Sequence, residues 1–119
     1  MPESALLQLA ESYLRTARAA LEAGDIAPAY ETARTACELA AKAILDQRGI
    51  PTSGKEHNVA PQLVQAGAWP GGDPGKRLSK FLNDYTRGVY GVGETIARKE
   101  AERGVALAEQ MIKKAKGHG

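Results

Sequence analysis

The chain has 119 residues, 43% of them hydrophobic and 25% charged, a composition that fits one soluble globular domain over 1–119 and excludes a disordered, collagenous or membrane-spanning chain. Its formal charge of +2 conceals a division: residues 1–47 carry four Lys/Arg against seven Asp/Glu, and residues 48–119 carry twelve against seven, too dilute an excess for a dedicated nucleic-acid tail. A single cysteine excludes an internal disulfide, no apolar run reaches the ~18 residues that span a bilayer, and Met1-Pro2-Glu3-Ser4 does not begin a secretory leader, so the expected location is the cytoplasm.

In the first Ala-rich stretch, Leu6, Ala10, Tyr13, Ala17 and Ala20/Leu21 recur at helical spacing, with Glu11, Arg15, Arg18 and Glu22 opposite. Gly24 is placed to end this helix in the left-handed conformation, and Asp25 to cap the next. Pro28 falls in the first turn of helix two, where its missing N–H has no intrahelical partner to lose. Helix two runs to about Arg48, with Tyr30, Ala33, Cys37, Ala40/Ala41 and Ile44 on one face. Cys37 reads as a small buried hydrophobe. Glu38 and Lys42 stand i, i+4, a spacing that marks a surface pair.

Nine of the 13 glycines and four of the six prolines lie between positions 49 and 93, which separates connections from helices. After a polar loop, Asn58 is expected to cap a short helix with Val59, Leu63 and Val64 on its apolar side, and Trp69 to pack over an end of the bundle. Leu78, Phe81, Leu82 and Tyr85 mark a fourth helix, with Lys76, Lys80, Asp84 and Arg87 as its solvent stripe. Gly88, Gly91 and Gly93 break it. A last helix begins after Thr95 and buries Ala97, Ala101, Gly104, Ala108, Met111/Ile112 and Ala115, and the mid-helix Gly104 implies close approach of another helix backbone. No stretch alternates like a strand. The predicted fold is all-α, an up-and-down bundle of four long helices plus one short helix.

Few residues suit chemistry. The glycines at 88–93 follow a helix rather than a strand and lack the lysine of a phosphate-binding loop. His57 and His118 belong to no spaced set of metal ligands, and no metal or cofactor is expected. His57-Asn58 is read first as a helix cap, with His57 as a proton carrier the sharper alternative. Arg87 and Tyr90 form the other constellation: a guanidinium and an aromatic hydroxyl hold a phosphate and stack on a base, or else close a helix end and plug the bundle. Around them, Lys76 and Lys80 on helix four and Arg98, Lys99 and Arg103 on helix five supply the positive charge of a candidate nucleotide or RNA surface. Lys113, Lys114 and Lys116 read as favourable placement at a helix C-terminus.

Tyr13 to Ala17, Leu21-Glu22-Ala23-Gly24-Asp25, Ala29 to Ala33, Ala36 through Leu45, Gly49 and His57-Asn58-Val59, in that order, resemble the HEPN domain family (higher eukaryotes and prokaryotes nucleotide-binding) over nearly the whole chain. The resemblance implies a small helical bundle that commonly forms a homodimer, often partners a minimal nucleotidyltransferase, and in many members cleaves RNA in a toxin-antitoxin setting. RNA-cleaving members carry an Arg followed after four to six residues by His. Here Arg87 is followed by Gly88-Val89-Tyr90-Gly91-Val92-Gly93-Glu94, with no histidine. The implied function is therefore a non-catalytic or accessory HEPN protein that binds a nucleotidyltransferase-like partner, a nucleotide or RNA. One alternative is an RNA-cleaving enzyme in which Tyr90 or His57 replaces the missing histidine, and a second is a helical protein-interaction adaptor. Residues 20–40 also resemble one tetratricopeptide unit, but the array period of about 34 residues finds no second copy at Asn58-Val59.

Overall fold

The computed structural model of the chain describes residues 4–53, 56–84 and 96–117. Among these there are five helices and no strand: α1 (Ala5–Glu22), α2 (Ile26–Gln47), α3 (Ala60–Gln65), α4 (Asp73–Asn83) and α5 (Arg98–Lys116). The all-α helical bundle is thus present, with α4 shorter than α1, α2 and α5. α1 starts where the Ser4 hydroxyl accepts from the Leu7 amide at 3.2 Å. It ends at Gly24, whose φ of 82° lets the Asp25 amide reach the Ala20 carbonyl and the Gly24 amide the Leu21 carbonyl. The same pair of bonds closes α2 at Gly49 and α3 at Gly67, so three connections turn sharply. Asp25 precedes α2 but makes no side-chain cap.

α2 is the central element. It packs against α1 and α5 on one side and against α3 and α4 on the other, and its alanines at 29, 33, 36, 40, 41 and 43 are fully buried. Alanine lets three helix backbones draw together, and the larger volume comes from Ile44, Leu45, Leu63, Leu78, Leu82 and Met111, all fully buried. Each of those side chains stabilises the fold by ~2 kcal/mol through removal from water.

Three sequence expectations are corrected by this packing. The buried stripe of α1 is Leu7, Ala10, Leu14 and Ala17. Tyr13 and Leu9 are exposed, so the apolar face is rotated by about one residue from the expected one. Ala97 is the exposed residue before α5, where its amide donates to Glu100 Oε1 at 3.2 Å. At Gly104 the close neighbour is aromatic rather than helix backbone: a Cβ there meets Phe81 Cε1 and Cζ at 3.0 Å and Tyr30 Cδ1 at 3.5 Å.

Candidate functional site

An open groove of about 650 Å³ lies between α4 and α5. Its apolar surface comes from Tyr30, Trp69, Phe81 and Leu107, and its charged edge from Arg77 and Lys80 on α4 and Arg103 on α5, with Asp84 and Glu100 among them. Gly104 is part of the lining and lets α5 lie against the Phe81 ring, which a Cβ there would meet at 3.0 Å. The Phe81 ring meets Tyr30 edge to face, with centroids 5.3 Å apart. The Tyr30 hydroxyl donates to Asp84 Oδ2 at 2.7 Å. That bond corrects the placement of Asp84 on a solvent stripe: it follows the last turn of α4, partly buried, and ties α4 to α2. Trp69 donates through Nε1 to the Pro74 carbonyl at 3.4 Å, and the Lys114 ammonium sits 5.5 Å from its ring centroid. An apolar, aromatic-lined groove with cations at its edge accepts a planar group and an anion together.

A second cluster lies along the middle of α2. Arg34, Glu38 and Lys42 follow one another at i, i+4 and all three are buried. Lys42 Nζ donates to Glu38 Oε2 at 3.1 Å, with side chains only 9% and 12% exposed, so the expected surface pair is an interior one. The other oxygen of Glu38 receives His57, whose Nδ1 lies 3.1 Å from Oε1 while half its side chain stays exposed. A carboxylate only accepts, so Nδ1 carries the proton and Nε2 holds the lone pair in the neutral ring. Next to it, Asn58 Oδ1 accepts from the Ala60 amide at 3.1 Å, and Asn58 Nδ2 donates to Ser79 Oγ on α4 at 2.7 Å. The N-cap of α3 is Val59, without a side-chain cap, so the expected His57-Asn58 cap is corrected. Asn58 precedes the cap and bonds the first helical amide, while the pair brackets α2 and α4.

Among the seven residues expected to form a nucleotide or RNA surface, Lys80 and Arg103 line the groove. Lys76 and Lys99 are exposed outside it. Arg98 turns to the end of α1, where it donates to the Leu21 carbonyl at 3.4 Å and pairs with Glu102 at 3.5 Å. Arg87 and Tyr90 lie outside the described residues, as do Tyr85, the glycines at 88–93, Thr95 and His118. Sequence reasoning missed Arg77 and the aromatic surface, because Tyr30, Trp69 and Phe81 sit at apolar positions that read as core. It also missed the partner of His57. The available signal was three charges, Arg34, Glu38 and Lys42, on a helix face otherwise built of alanine.

Cys37 is fully buried, and burial, with the charge of Glu38 adding to it, pushes its thiol far above the usual range. Among the described residues no group of three His, Cys, Asp or Glu could hold a metal ion, and no helix is long and apolar enough to cross a membrane.

The model of the HEPN domain family matches residues 4–118. No curated protein and no solved structure matches the chain.

Proposed function

The chain belongs to the HEPN domain family, and from that premise we propose that it is a binding member of the family, with a nucleotide or RNA seated in the groove between α4 and α5. The observation that carries this reading is the groove itself, in which an aromatic surface stands beside three cations, Arg77, Lys80 and Arg103. A base covers Phe81 and Trp69 while its phosphate meets the guanidinium and ammonium groups. The sequence supplies no histidine four to six residues after an arginine, which favours binding over the usual family cleavage. The further proposal of a homodimer and a minimal nucleotidyltransferase partner is supported only by the family resemblance.

Trp69 is the one tryptophan of the chain and lines the groove, so its fluorescence is the natural readout. Titration with a nucleoside triphosphate or a short single-stranded RNA should change its emission saturably, and Arg103→Gln with Lys80→Gln should weaken the effect. A flat titration with both ligands counts against the reading.

A second reading rests on a different observation. Glu38 holds His57 as the carboxylate of a general-base pair does, with half of the His57 side chain exposed. It makes the protein an RNA-cleaving enzyme with a non-standard site. Cleavage of RNA by the purified protein, abolished by His57→Ala, would establish it.

A further inference from the structure

A further groove flanks α5 on its other side. This second groove, of about 670 Å³, lies between α1 and α5, and is lined by Arg15 and Arg18 from one wall and by Lys113 and Lys116 from the other. Two acids, Glu11 and Glu109, share it, Glu109 pairing with Arg18 at 3.2 Å and Glu11 with Lys116 at 3.3 Å. The Arg18–Glu109 pair is exposed and the Lys116–Glu11 pair partly so, and exposed pairs contribute little to stability. The four cations outnumber the two acids, and Leu14 and Ile112 supply an apolar base between them.

Gln110 lines both grooves. The face of α5 carrying Arg103, Leu107 and Gln110 looks into the first groove, and the face carrying Gln110, Lys113 and Lys116 looks into the second. Arg103 and Lys113 are ten residues apart, ~15 Å along the helix axis. A mononucleotide cannot reach from one to the other, whereas a strand of a few nucleotides, at about 6 Å per phosphate, can. Only a flexible chain of regularly spaced anions fits cations placed in this way, and the amide of Gln110 offers both donor and acceptor to whatever crosses it.

We infer that the α1–α5 groove is a second phosphate-binding subsite, continuous with the α4–α5 groove over Gln110, so that the ligand of this protein is a single-stranded polynucleotide segment rather than a free nucleotide. The inference rests on the proposed reading of the first groove. Lys113 and Lys116 thereby acquire a role beyond complementing a helix C-terminus.

The test compares a nucleoside monophosphate with single-stranded RNA oligomers of increasing length, using Trp69 fluorescence and calorimetry at several salt concentrations. Affinity should rise by more than about tenfold between the monophosphate and an oligomer of roughly six nucleotides, with a steeper salt dependence for the oligomer. The variant Arg15→Gln/Lys113→Gln changes two exposed side chains. It should bring the oligomer down towards the monophosphate while leaving monophosphate binding unaltered, and Arg103→Gln should weaken both. If monophosphate and oligomer bind equally, with equal salt slopes, the second subsite falls and the first groove stands. If the oligomer binds tightly and Arg15→Gln/Lys113→Gln has no effect, the track does not run through the α1–α5 groove. If neither ligand binds, the reading of the first groove fails and this inference with it.

Discussion

Glu38 is held from both sides, by Lys42 on one carboxylate oxygen and by His57 on the other, each at 3.1 Å. Lys42 stands one helical turn away on α2, and His57 comes from 19 residues further along the chain. The carboxylate therefore joins a helix to the segment that starts α3, in an environment that excludes most water. Removing a partner from a buried ion pair leaves the other charge uncompensated, which costs more than the pair itself contributes. Glu38→Ala should lower the free energy of unfolding by about 3 kcal/mol. Adding Lys42→Met should recover part of that loss, since the stranded ammonium goes with it. His57→Ala should cost about 1 kcal/mol or less, because its ring is half-exposed. Urea unfolding of the three variants measures all of this, and a Glu38→Ala change no larger than that of His57→Ala would show that the pair is not interior.

The thiol of Cys37 gives a pH dependence with a definite sign. Its value in the folded chain lies well above that of the free group, so as pH rises through ~8.5 the unfolded chain loses this proton while the folded one keeps it. The unfolded state is then favoured, and stability due to this group is intact below that pH and falls above it by about 1.4 kcal/mol per unit. Tyrosines and lysines also titrate there, and the informative quantity is the difference from Cys37→Ala, which should show a flatter decline between pH 8.5 and 10. Parallel slopes in the two proteins would contradict the assignment. The same burial predicts that an alkylating reagent modifies native Cys37 only as fast as the bundle opens.

The helices were legible because alanine, glycine and proline divide the chain cleanly. Gly24 ends a helix as its sequence position implies, and Gly49 and Gly67 repeat the same local hydrogen bonds. The order of motifs also made the family legible. What sequence could not convey was which side of an alanine-rich helix faces inward. In α1, Leu6 and Leu7 fit neighbouring stripes, and the choice of Leu7 with Leu14 depends on where α2 and α5 lie. The same limit hid the site. Tyr30, Trp69 and Phe81 are buried, and only the tertiary arrangement of α4 and α5 shows that they border a groove. Glu38 and His57 meet through tertiary contact, which no local spacing reports.

Tyr30 and Asp84 supply a test of how α4 is fastened. The hydroxyl donates to a carboxylate at 2.7 Å, a charge-assisted bond at the edge of the groove. Tyr30→Phe keeps the ring contact with Phe81 and loses this bond, so it should destabilise by about 1.5 kcal/mol. Asp84→Asn should cost a similar amount, and the double variant little more than either alone. Additive losses in that cycle would mean that the two groups do not bond to one another.

Gly104 separates stability from binding. Replacing it with alanine gains about 1 kcal/mol of helix propensity, but the new Cβ stands 3.0 Å from two atoms of the Phe81 ring. On one side the ring is backed by Tyr30, at 5.3 Å between centroids; on the other it borders the open groove. The ring can therefore yield by a few tenths of an ångström into the groove, and the two effects largely cancel, leaving Gly104→Ala within about 1 kcal/mol of the parent. Gly104→Val, with two more methyl groups against the same ring, exceeds what that movement absorbs and should lose about 2 kcal/mol or more. Ligand binding should respond differently, since in Gly104→Ala both the added methyl and the displaced ring occupy groove volume. Trp69 titrations should then show weakened binding in a protein of unchanged melting behaviour. Equal affinity in parent and Gly104→Ala would mean that the ligand does not reach the part of the groove that this glycine lines.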